Sequence, residues 1–283
     1  MKPLVWITGA GGLIGNYLVR TAPSCAPNLR VVGLTRAQLD LTHCASVRAE
    51  FQRQPPQILI HCAAMSRSQE CQGNPVLARK INSEVPAQLA GMALKIPFIF
   101  FSTDLVFDGR KGNYAETDAV NPISVYAETK VIAEEIVGRH PRHLIIRTAI
   151  NGGVSPTGDR GFNEQLRLAW KRGELTTLFT DEFRCPIPAM VTARAVWEVV
   201  VKNQIGMFHL GGAEKLSRYE IGKILADRCP ELKPRMIPAS LKQFHGAPRT
   251  PDVSMNCTKA QAVLSFPLPK FSEWLTDNPQ EPI

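Results

Sequence analysis

Short apolar runs alternate with stretches of helical periodicity through the first half of the chain. The runs are rich in β-branched and aromatic residues, as buried parallel strands are. They predict strands at Leu4–Thr8, Val31–Thr35, Ile58–Cys62, Pro97–Ser102 and Leu144–Arg147. The intervening stretches predict helices at Ile14–Ala22, Cys44–Arg53, Pro75–Leu94 and Ile123–Val137. This alternation predicts an α/β fold built on a Rossmann-type, doubly wound parallel sheet.

The regular alternation ends near Arg147, which suggests a domain boundary. Residues 1–150 are predicted to form a dinucleotide-binding Rossmann domain. A helix at Val191–Lys202 and a strand at Met207–Leu210 predict that residues 180–212 rejoin it. Residues 151–179 and 213–283 are predicted to form a smaller C-terminal substrate-binding lobe.

Composition places the chain among ordinary globular proteins. Of its 283 residues, 44% are hydrophobic and 20% are charged, which argues against disorder. The longest apolar stretches, such as Ile96–Phe101, are far too short to span a membrane, so no membrane partner is expected. The net charge of +8 suits an anionic ligand such as a dinucleotide or a nucleotide sugar. Basic residues form only short clusters without interleaved aromatics, so no nucleic-acid partner is expected.

Cysteines and histidines give no sign of a disulfide framework or a metal site. The seven cysteines are scattered and form no CxxC pair, which indicates reduced thiols. The six histidines show no HxxxH spacing, so no metal is predicted. No cleavable apolar segment of the signal-peptide type follows Met1. A cytoplasmic protein is therefore expected.

A glycine-rich loop joins the first predicted strand to the first predicted helix. Glycine permits a positive φ and lets the backbone approach a pyrophosphate, while a helix start offers unpaired N–H groups to the anion. Because the loop stands between a strand and a helix, it predicts dinucleotide binding rather than a merely structural turn. The contacts predicted here are Gly9, Gly11, Gly12, Leu13, Ile14 and Gly15.

The end of the second predicted strand bears on which dinucleotide binds. Thr35 and Arg36 stand where NAD-preferring sheets carry an acidic residue. An arginine there would meet the 2′-phosphate of NADPH, and a charge pair at ~4 Å contributes between ~1 and ~4 kcal/mol. NADPH is therefore predicted, with NADH as the alternative. Further predicted cofactor contacts are Asp40 and Leu41 at the adenine, with Asp40 accepting from its amino group, and Ala63, Ala64 and Met65 where the backbone passes close by.

Tyr126 and Lys130 stand four residues apart, so on a helix their side chains share one face. A neighbouring cation favours the ionised phenol and lowers the pKa of a tyrosine, which makes Tyr126 a candidate acid/base. Ser102 and Thr103 offer hydroxyl groups at the end of an apolar strand. Neighbouring strand residues face opposite sides, so the sequence leaves open which of the two points inward.

The glycine loop, the segment Ser102–Gly109 and the Tyr126/Lys130 pair together resemble the extended short-chain dehydrogenase/reductases. The closest resemblance is to the dTDP-4-dehydrorhamnose reductase branch. It implies that Tyr126 donates a proton to a substrate carbonyl as hydride arrives from the nicotinamide, and that Thr103 hydrogen-bonds the same oxygen. Lys130 is implied to bind the nicotinamide ribose and to lower the pKa of Tyr126. Tyr126, Lys130 and Ser102 also count as cofactor contacts.

Two positions depart from that branch. Leu105 stands where tyrosine is usual, and Ile150 stands where an aromatic residue, usually tryptophan, is expected. Both family aromatics contribute to the sugar-nucleotide pocket, so the identity of the sugar is left open. Asp104, Arg184 and Arg249 complete the predicted substrate contacts, and for the two arginines a structural salt bridge is an equal alternative.

The resemblance implies an NADPH-dependent reductase acting on the keto group of a nucleotide-linked 4-keto sugar. The partner is then a small molecule, and an oligomer such as a homodimer is compatible with it. One alternative is an epimerase or dehydratase that retains NAD. Another is a non-catalytic, NADP-binding regulatory subunit similar to the methionine adenosyltransferase beta subunit. The intact Thr103, Tyr126 and Lys130 favour an enzyme.

Overall fold

A computed structural model describes residues 2–282. The strands are β1 Leu4–Thr8, β2 Arg30–Leu34, β3 Ile58–His61, β4 Phe98–Thr103, β5 His143–Thr148, β6 Asn151–Gly152, β7 Leu175–Phe179, β8 Phe183–Arg184, β9 Ile187–Pro188, β10 Gly206–Leu210, β11 Leu216–Ser217 and β12 Arg235–Ala239. The α-helices are α1 Leu13–Cys25, α2 Cys44–Arg53, α3 Ser68–Gly73, α4 Pro75–Arg79, α5 Val85–Met92, α6 Val125–Val137, α7 Phe162–Lys171, α8 Ala189–Val201, α9 Arg218–Arg228, α10 Thr258–Val263 and α11 Phe271–Asp277. A π-helical turn covers Lys80–Glu84, and 3₁₀ turns cover Asp104–Val106, Pro230–Leu232 and Leu241–Gln243.

Six parallel strands form the central sheet, in the order β10-β5-β4-β3-β1-β2. Alternating residues of β1 show how both faces are covered. Val5 and Ile7 pack into a core formed with α1 and α8, whereas Trp6 packs into a core formed with α2, α5 and α6. The predicted doubly wound α/β fold is confirmed, and the strand at Gly206–Leu210 lies beside β5 in the same sheet.

Strand order reverses between β1 and β3, so a crevice opens at their carboxyl ends. Gly9 turns the chain there with φ +75°, and a Cβ on it would lie 2.5 Å from the backbone nitrogen of Ala63. A Cβ on Gly15 would lie 2.4 Å from the carbonyl oxygen of Gly9. Both positions require glycine because the protein's own backbone occupies the space.

The predicted helix at Pro75–Leu94 is interrupted by the π-helical turn. Pro86 has no N–H to donate, and its ring crowds the carbonyl group four residues earlier, that of Asn82. The wider turn accommodates this, with the N–H of Val85 bonded to the carbonyl of Lys80. As a consequence the consecutive polar residues Asn82 and Ser83 are both buried. Sequence periodicity alone missed this break.

A separate apolar cluster forms the core of a smaller lobe. It joins residues of α7, α9 and α11, among them Trp170, Leu225 and Leu275, to the parallel pair β7–β12. Not all of residues 213–283 pack there, which corrects the predicted division. Ala260 and Leu264 pack with α8 in the main core, and the backbone N–H and hydroxyl of Ser265 bind the carboxylate of Glu198 on α8 at 2.8 and 3.0 Å.

The seven cysteines and the helices given above all lie within residues 2–282. The seven cysteines are free thiols. Within this range no helix is long and apolar enough to cross a membrane. Nor does the described part of the chain gather three or more metal-ligating side chains into one group.

We expect Gly15→Ala to lower the free energy of unfolding by about 1–3 kcal/mol, since its methyl group would overlap the carbonyl of Gly9. The matched control is Gly91→Ala in α5, where a Cβ would meet nothing within 4 Å. Alanine there should be neutral or stabilise by up to about 1 kcal/mol. Urea unfolding followed by circular dichroism measures both. Equal effects of the two substitutions would contradict the steric account.

Candidate active site

The start of α1 forms a cradle at the carboxyl end of β1. The helix begins at Leu13, and its N-cap residue Gly12 provides no side-chain cap. The first N–H groups of a helix have no partner within the helix, so they are available to an anion. A Cβ on Gly11 would have Thr35 Cγ2, at 3.7 Å, as its nearest neighbour. The protein's own packing does not require glycine at position 11, which fits a loop that a dinucleotide approaches closely.

A loop from the smaller lobe covers the edge of this cradle. The N–H of Val154 donates to the Tyr17 hydroxyl at 3.3 Å, and Gly161 lies beside the side chain of Leu13. Arg67, in the segment after β3, donates to the carbonyl and carboxylate oxygens of Asp159 at 2.9 and 3.2 Å. The two loops are therefore joined across the crevice.

Arg36 and Asp40 lie beyond the end of β2. The Arg36 side chain is 83% exposed, and its Nε lies 3.6 Å from Asp40 Oδ2. Asp40 Oδ1 accepts from the backbone N–H and hydroxyl of Thr42 at 2.9 and 2.7 Å. These hydrogen bonds, together with the Arg36 charge, hold the pKa of Asp40 below its usual value. Asp40 thus stabilises a turn, while its predicted contact with adenine stays a prediction. Leu41 is half-buried against the α2–α5 face.

Asn82 holds the segment after β3 in place and was missed by sequence reasoning. Its side-chain amide exchanges two hydrogen bonds with the backbone of Met65, at 2.9 and 3.0 Å, and donates to the Thr129 hydroxyl at 3.1 Å. Ser83 donates to the carbonyl of Thr129 at 2.8 Å. The cofactor contacts predicted at Ala63–Met65 are therefore fixed against α6. The available signal was a polar Asn-Ser pair ahead of Pro86 in an apolar helix.

Helix α6 brings Tyr126 and Lys130 together beneath the end of β4. Ser124 caps this helix by accepting from the N–H of Ala127 at 3.3 Å. Of the two candidate hydroxyl groups, that of Thr103 faces the phenol, since hydrogen bonding with it acts to lower the pKa of Tyr126. Ser102 is buried, and its hydroxyl has no hydrogen-bond partner among residues 2–282.

Lys130 is bound to the strand rather than to the phenol. Its Nζ donates to the carbonyl of Phe101 at 2.5 Å and lies 4.0 Å from the centroid of the Phe100 ring. Burial lowers the pKa of Lys130 to about 7. The pKa of Tyr126 is raised above its usual value by burial and then by the charge of Asp104. The predicted lowering of that pKa by Lys130 is therefore not what the structure shows.

A cluster of three arginines surrounds the buried carboxylate of Glu182. Arg184, Arg218 and Arg249 approach its oxygens at 2.9, 3.2 and 2.9 Å. The interactions with these arginines hold the pKa of Glu182 below its usual value despite burial. Asp104, with Oδ2 3.7 Å from Arg184 Nε, is a second carboxyl group beside the cluster, so three guanidinium groups face two acidic side chains and positive charge remains in excess.

Arg184 is a structural residue, which corrects its prediction as a substrate contact. It is only 2% exposed, and it donates to the carbonyl and hydroxyl of Thr250 at 3.1 and 3.0 Å and to the carbonyl of Phe183 at 2.7 Å. These contacts and Glu182 occupy the N–H groups of both Nη atoms. Arg249, by contrast, is 40% exposed.

The two positions that depart from the branch pattern lie in apolar surroundings. Leu105 is half-buried and packs in the same small cluster as Tyr126. Ile150 packs against the core of the smaller lobe. Both positions are thus occupied by packed aliphatic side chains in this chain.

Comparison with known proteins identifies relatives over the whole chain. The sequence model of the family described as RmlD substrate binding domain matches residues 1–281. A dTDP-4-dehydrorhamnose reductase of Sinorhizobium fredii is 29% identical over 94% of this chain and 93% of its own. Methionine adenosyltransferase 2 subunit beta of Danio rerio is 27% identical over 97% and 89%. The crystal structure of a dTDP-4-dehydrorhamnose reductase from Clostridium acetobutylicum superimposes with a TM-score of 0.86 at 26% identity, covering 97% of each chain.

The lowered pKa of Lys130 predicts a pH-dependent contribution to stability. Between pH 7 and pH 10.5, the ordinary pKa of a lysine, the unfolded chain holds a proton on this side chain that the folded chain releases. The free energy of unfolding should therefore rise with pH across this window, by at most about 1.4 kcal/mol per unit. We expect this rise to be absent in Lys130→Met, measured by urea unfolding at pH 7, 8 and 9. Lys223→Met, at an exposed position of α9, should keep the wild-type slope; a wild-type slope in Lys130→Met would contradict the account.

Proposed function

The chain belongs to the RmlD substrate binding domain family, and from this premise we propose that it is an NADPH-dependent oxidoreductase of the short-chain dehydrogenase/reductase type. Its substrate is a keto group on a nucleotide-linked sugar. The observation that carries the proposal is the burial of the Thr103–Tyr126 pair at the carboxyl end of β4, in the same sheet edge as the glycine cradle. Two of its relatives are named dTDP-4-dehydrorhamnose reductase, which supports the same activity.

Bound NADPH would supply the hydride, while the protein would donate a proton and orient the substrate carbonyl. Tyr126 donates its phenolic proton to the substrate oxygen, general acid catalysis worth typically ~10²–10⁴-fold. The raised pKa of Tyr126 is compatible with proton donation, since the phenol stays protonated near neutral pH. Thr103 lies beside it and orients the same oxygen by hydrogen bonding.

The cofactor would be held at three places along the carboxyl edge of the sheet. The backbone of Gly11, Gly12 and Leu13 would face the pyrophosphate, Arg36 would pair with the 2′-phosphate, and Lys130 would bind the nicotinamide ribose. The exposure of Arg36 supports its role, because most of its guanidinium surface is available to a ligand. The Nε of Arg36 lies 3.6 Å from Asp40 Oδ2, which is longer than a hydrogen bond, so a phosphate can compete with Asp40 for the guanidinium group.

Arg218 and Arg249 are proposed to bind the diphosphate of the substrate. Both share Glu182 with the buried Arg184, so the cluster retains positive charge that an anion would balance. Leu105 and Ile150 would line the sugar side with aliphatic surface instead of aromatic rings. The particular sugar is therefore expected to differ from dTDP-4-dehydrorhamnose.

A second candidate is a non-catalytic, cofactor-binding regulatory subunit. The methionine adenosyltransferase 2 subunit beta, which matches nearly the whole chain, favours it. The two candidates agree on cofactor binding and differ in turnover.

The direct test mixes purified protein with NADPH and a panel of nucleotide-linked 4-keto sugars, and follows the loss of reduced-nicotinamide absorbance. We expect turnover with at least one sugar, faster with NADPH than with NADH. Tight NADPH binding without oxidation by any sugar in the panel would favour the regulatory candidate instead.

Tyr126→Phe separates binding from chemistry, since it removes only the phenolic hydroxyl. We expect the affinity for NADPH to stay within about twofold and turnover to fall by ~10² or more. Tyr219→Phe, a tyrosine packed in the smaller lobe, is the matched control and should retain wild-type turnover. Near-wild-type turnover by Tyr126→Phe would remove Tyr126 from the proposed role.

A further inference from the structure

Residues 155–161 form a loop, called the strap, beside the glycine cradle at the start of α1. One buried carboxylate, that of Glu164 in α7, binds both ends of the strap. It accepts from the backbone N–H and hydroxyl of Ser155 at 2.7 and 2.9 Å, and from the N–H groups of the last two strap residues at 2.8 and 2.7 Å. A Cβ on Gly161 would lie 3.5 Å from Leu13 Cδ2. The strap is therefore held in one place against the cradle.

The segment after β3 faces the strap across the crevice, and it is held equally firmly. The Asn82 side chain exchanges hydrogen bonds with the backbone of Met65 at 2.9 and 3.0 Å. Two residues further on, Arg67 donates to Glu70 at 3.0 Å and to the carbonyl and carboxylate oxygens of Asp159 in the strap at 2.9 and 3.2 Å. The backbone is thus fixed on both sides, and the Arg67 side chain makes the contact between them.

These contacts complete a closed ring. At its base the backbone of Gly9 meets that of Ala63 so closely that a Cβ on Gly9 would lie 2.5 Å from the Ala63 nitrogen. One side of the ring continues from Gly9 through the cradle to the strap. The other side continues along the chain from Ala63 to Arg67. The pairing of Arg67 with Asp159 joins the two sides.

A dinucleotide bound as proposed has to cross this crevice. Arg36 follows β2, whereas Lys130 donates to the carbonyl of Phe101 in β4, and β1 and β3 lie between those two strands in the sheet. We propose that the dinucleotide passes through the ring, and that the Arg67–Asp159 pair is a clasp that must open for it to enter and to leave. The inference rests on the proposed function only in that the crevice holds the cofactor.

The clasp is the link of the ring that can open without unfolding either loop. The side chain of Arg67 is 41% exposed and that of Asp159 is 38% exposed. Such an ion pair is weak, because water and salt screen it and the long side chain loses rotational freedom when it pairs. Glu164, which holds the strap, is by contrast only 4% exposed. Rotation of the Arg67 side chain is therefore the motion that opens the ring.

The test measures NADPH binding by stopped-flow fluorescence in Arg67→Met and Asp159→Ala, with release started by excess NADP⁺. Because the ring opens for entry and for exit, each substitution should raise the association and dissociation rate constants together, by about two- to fivefold, and leave Kd within about twofold. Asp159→Ala keeps the backbone carbonyl that Arg67 binds, so its effect should be the smaller. The double variant should be no faster than Arg67→Met, because both substitutions break the same contact.

The two substitutions change the charge in opposite directions, which separates a clasp from attraction of the anionic cofactor. Attraction alone would make Arg67→Met bind more slowly and Asp159→Ala more quickly, and that opposite response overturns the proposal. The matched control is Arg172→Met, which breaks an exposed pair with Glu174 at the end of α7 remote from the strap and should leave both rates unchanged. Clasp variants with the same rates as this control also overturn the proposal.

These rates require no keto sugar, so they are independent of turnover. A wild type that binds NADPH and reduces no sugar refutes the proposed reductase activity and leaves the clasp to be decided by the rates. Turnover by the wild type, together with unchanged rates in both clasp variants, refutes the clasp alone.

Discussion

The backbone contact between the loops that follow β1 and β3 sets the geometry of the whole site. Gly9 and Ala63 approach so closely that no side chain fits between them, and Gly15 is packed against Gly9 in the same way. This contact fixes the start of α1 relative to the carboxyl edge of the sheet. It thereby fixes where an anion bound by the helix N–H groups lies relative to Thr103 and α6.

Burial of ionisable side chains is the second constraint, and it affects Lys130 and Tyr126 in opposite directions. Lys130 is held by a strand carbonyl and an aromatic ring, and burial lowers its pKa to about 7. Tyr126 is driven in the opposite direction, toward retention of its proton. Because their environments move the pKa values of these two neighbours in opposite directions, they support the proposal that Tyr126 is the proton donor. Glu182 and its arginines form a separate charged cluster, which is proposed to bind the anionic part of the substrate.

The sequence predicted the features that depend on local pattern, and it missed those that depend on distant partners. The strand, glycine loop and helix at Leu4–Cys25 follow from apolar runs and turn chemistry, and the sheet follows from their repetition. The sequence did not distinguish a structural role for Arg184 from a ligand contact, because its partners Thr250 and Asp104 both lie far from it along the chain. The π-helical turn at Lys80–Glu84 and the return of Ala260 to the main core likewise depend on packing that periodicity does not record.

The proposed activity is the transfer of a hydride from NADPH to the carbonyl carbon of a nucleotide-linked sugar. Its most direct test uses NADPH deuterated at C4 of the nicotinamide, in both stereochemical forms, with a keto sugar that is turned over. Mass spectrometry of the reduced sugar should show one deuterium from one of the two labelled forms and none from the other. Product that contains no deuterium from either form would contradict the account.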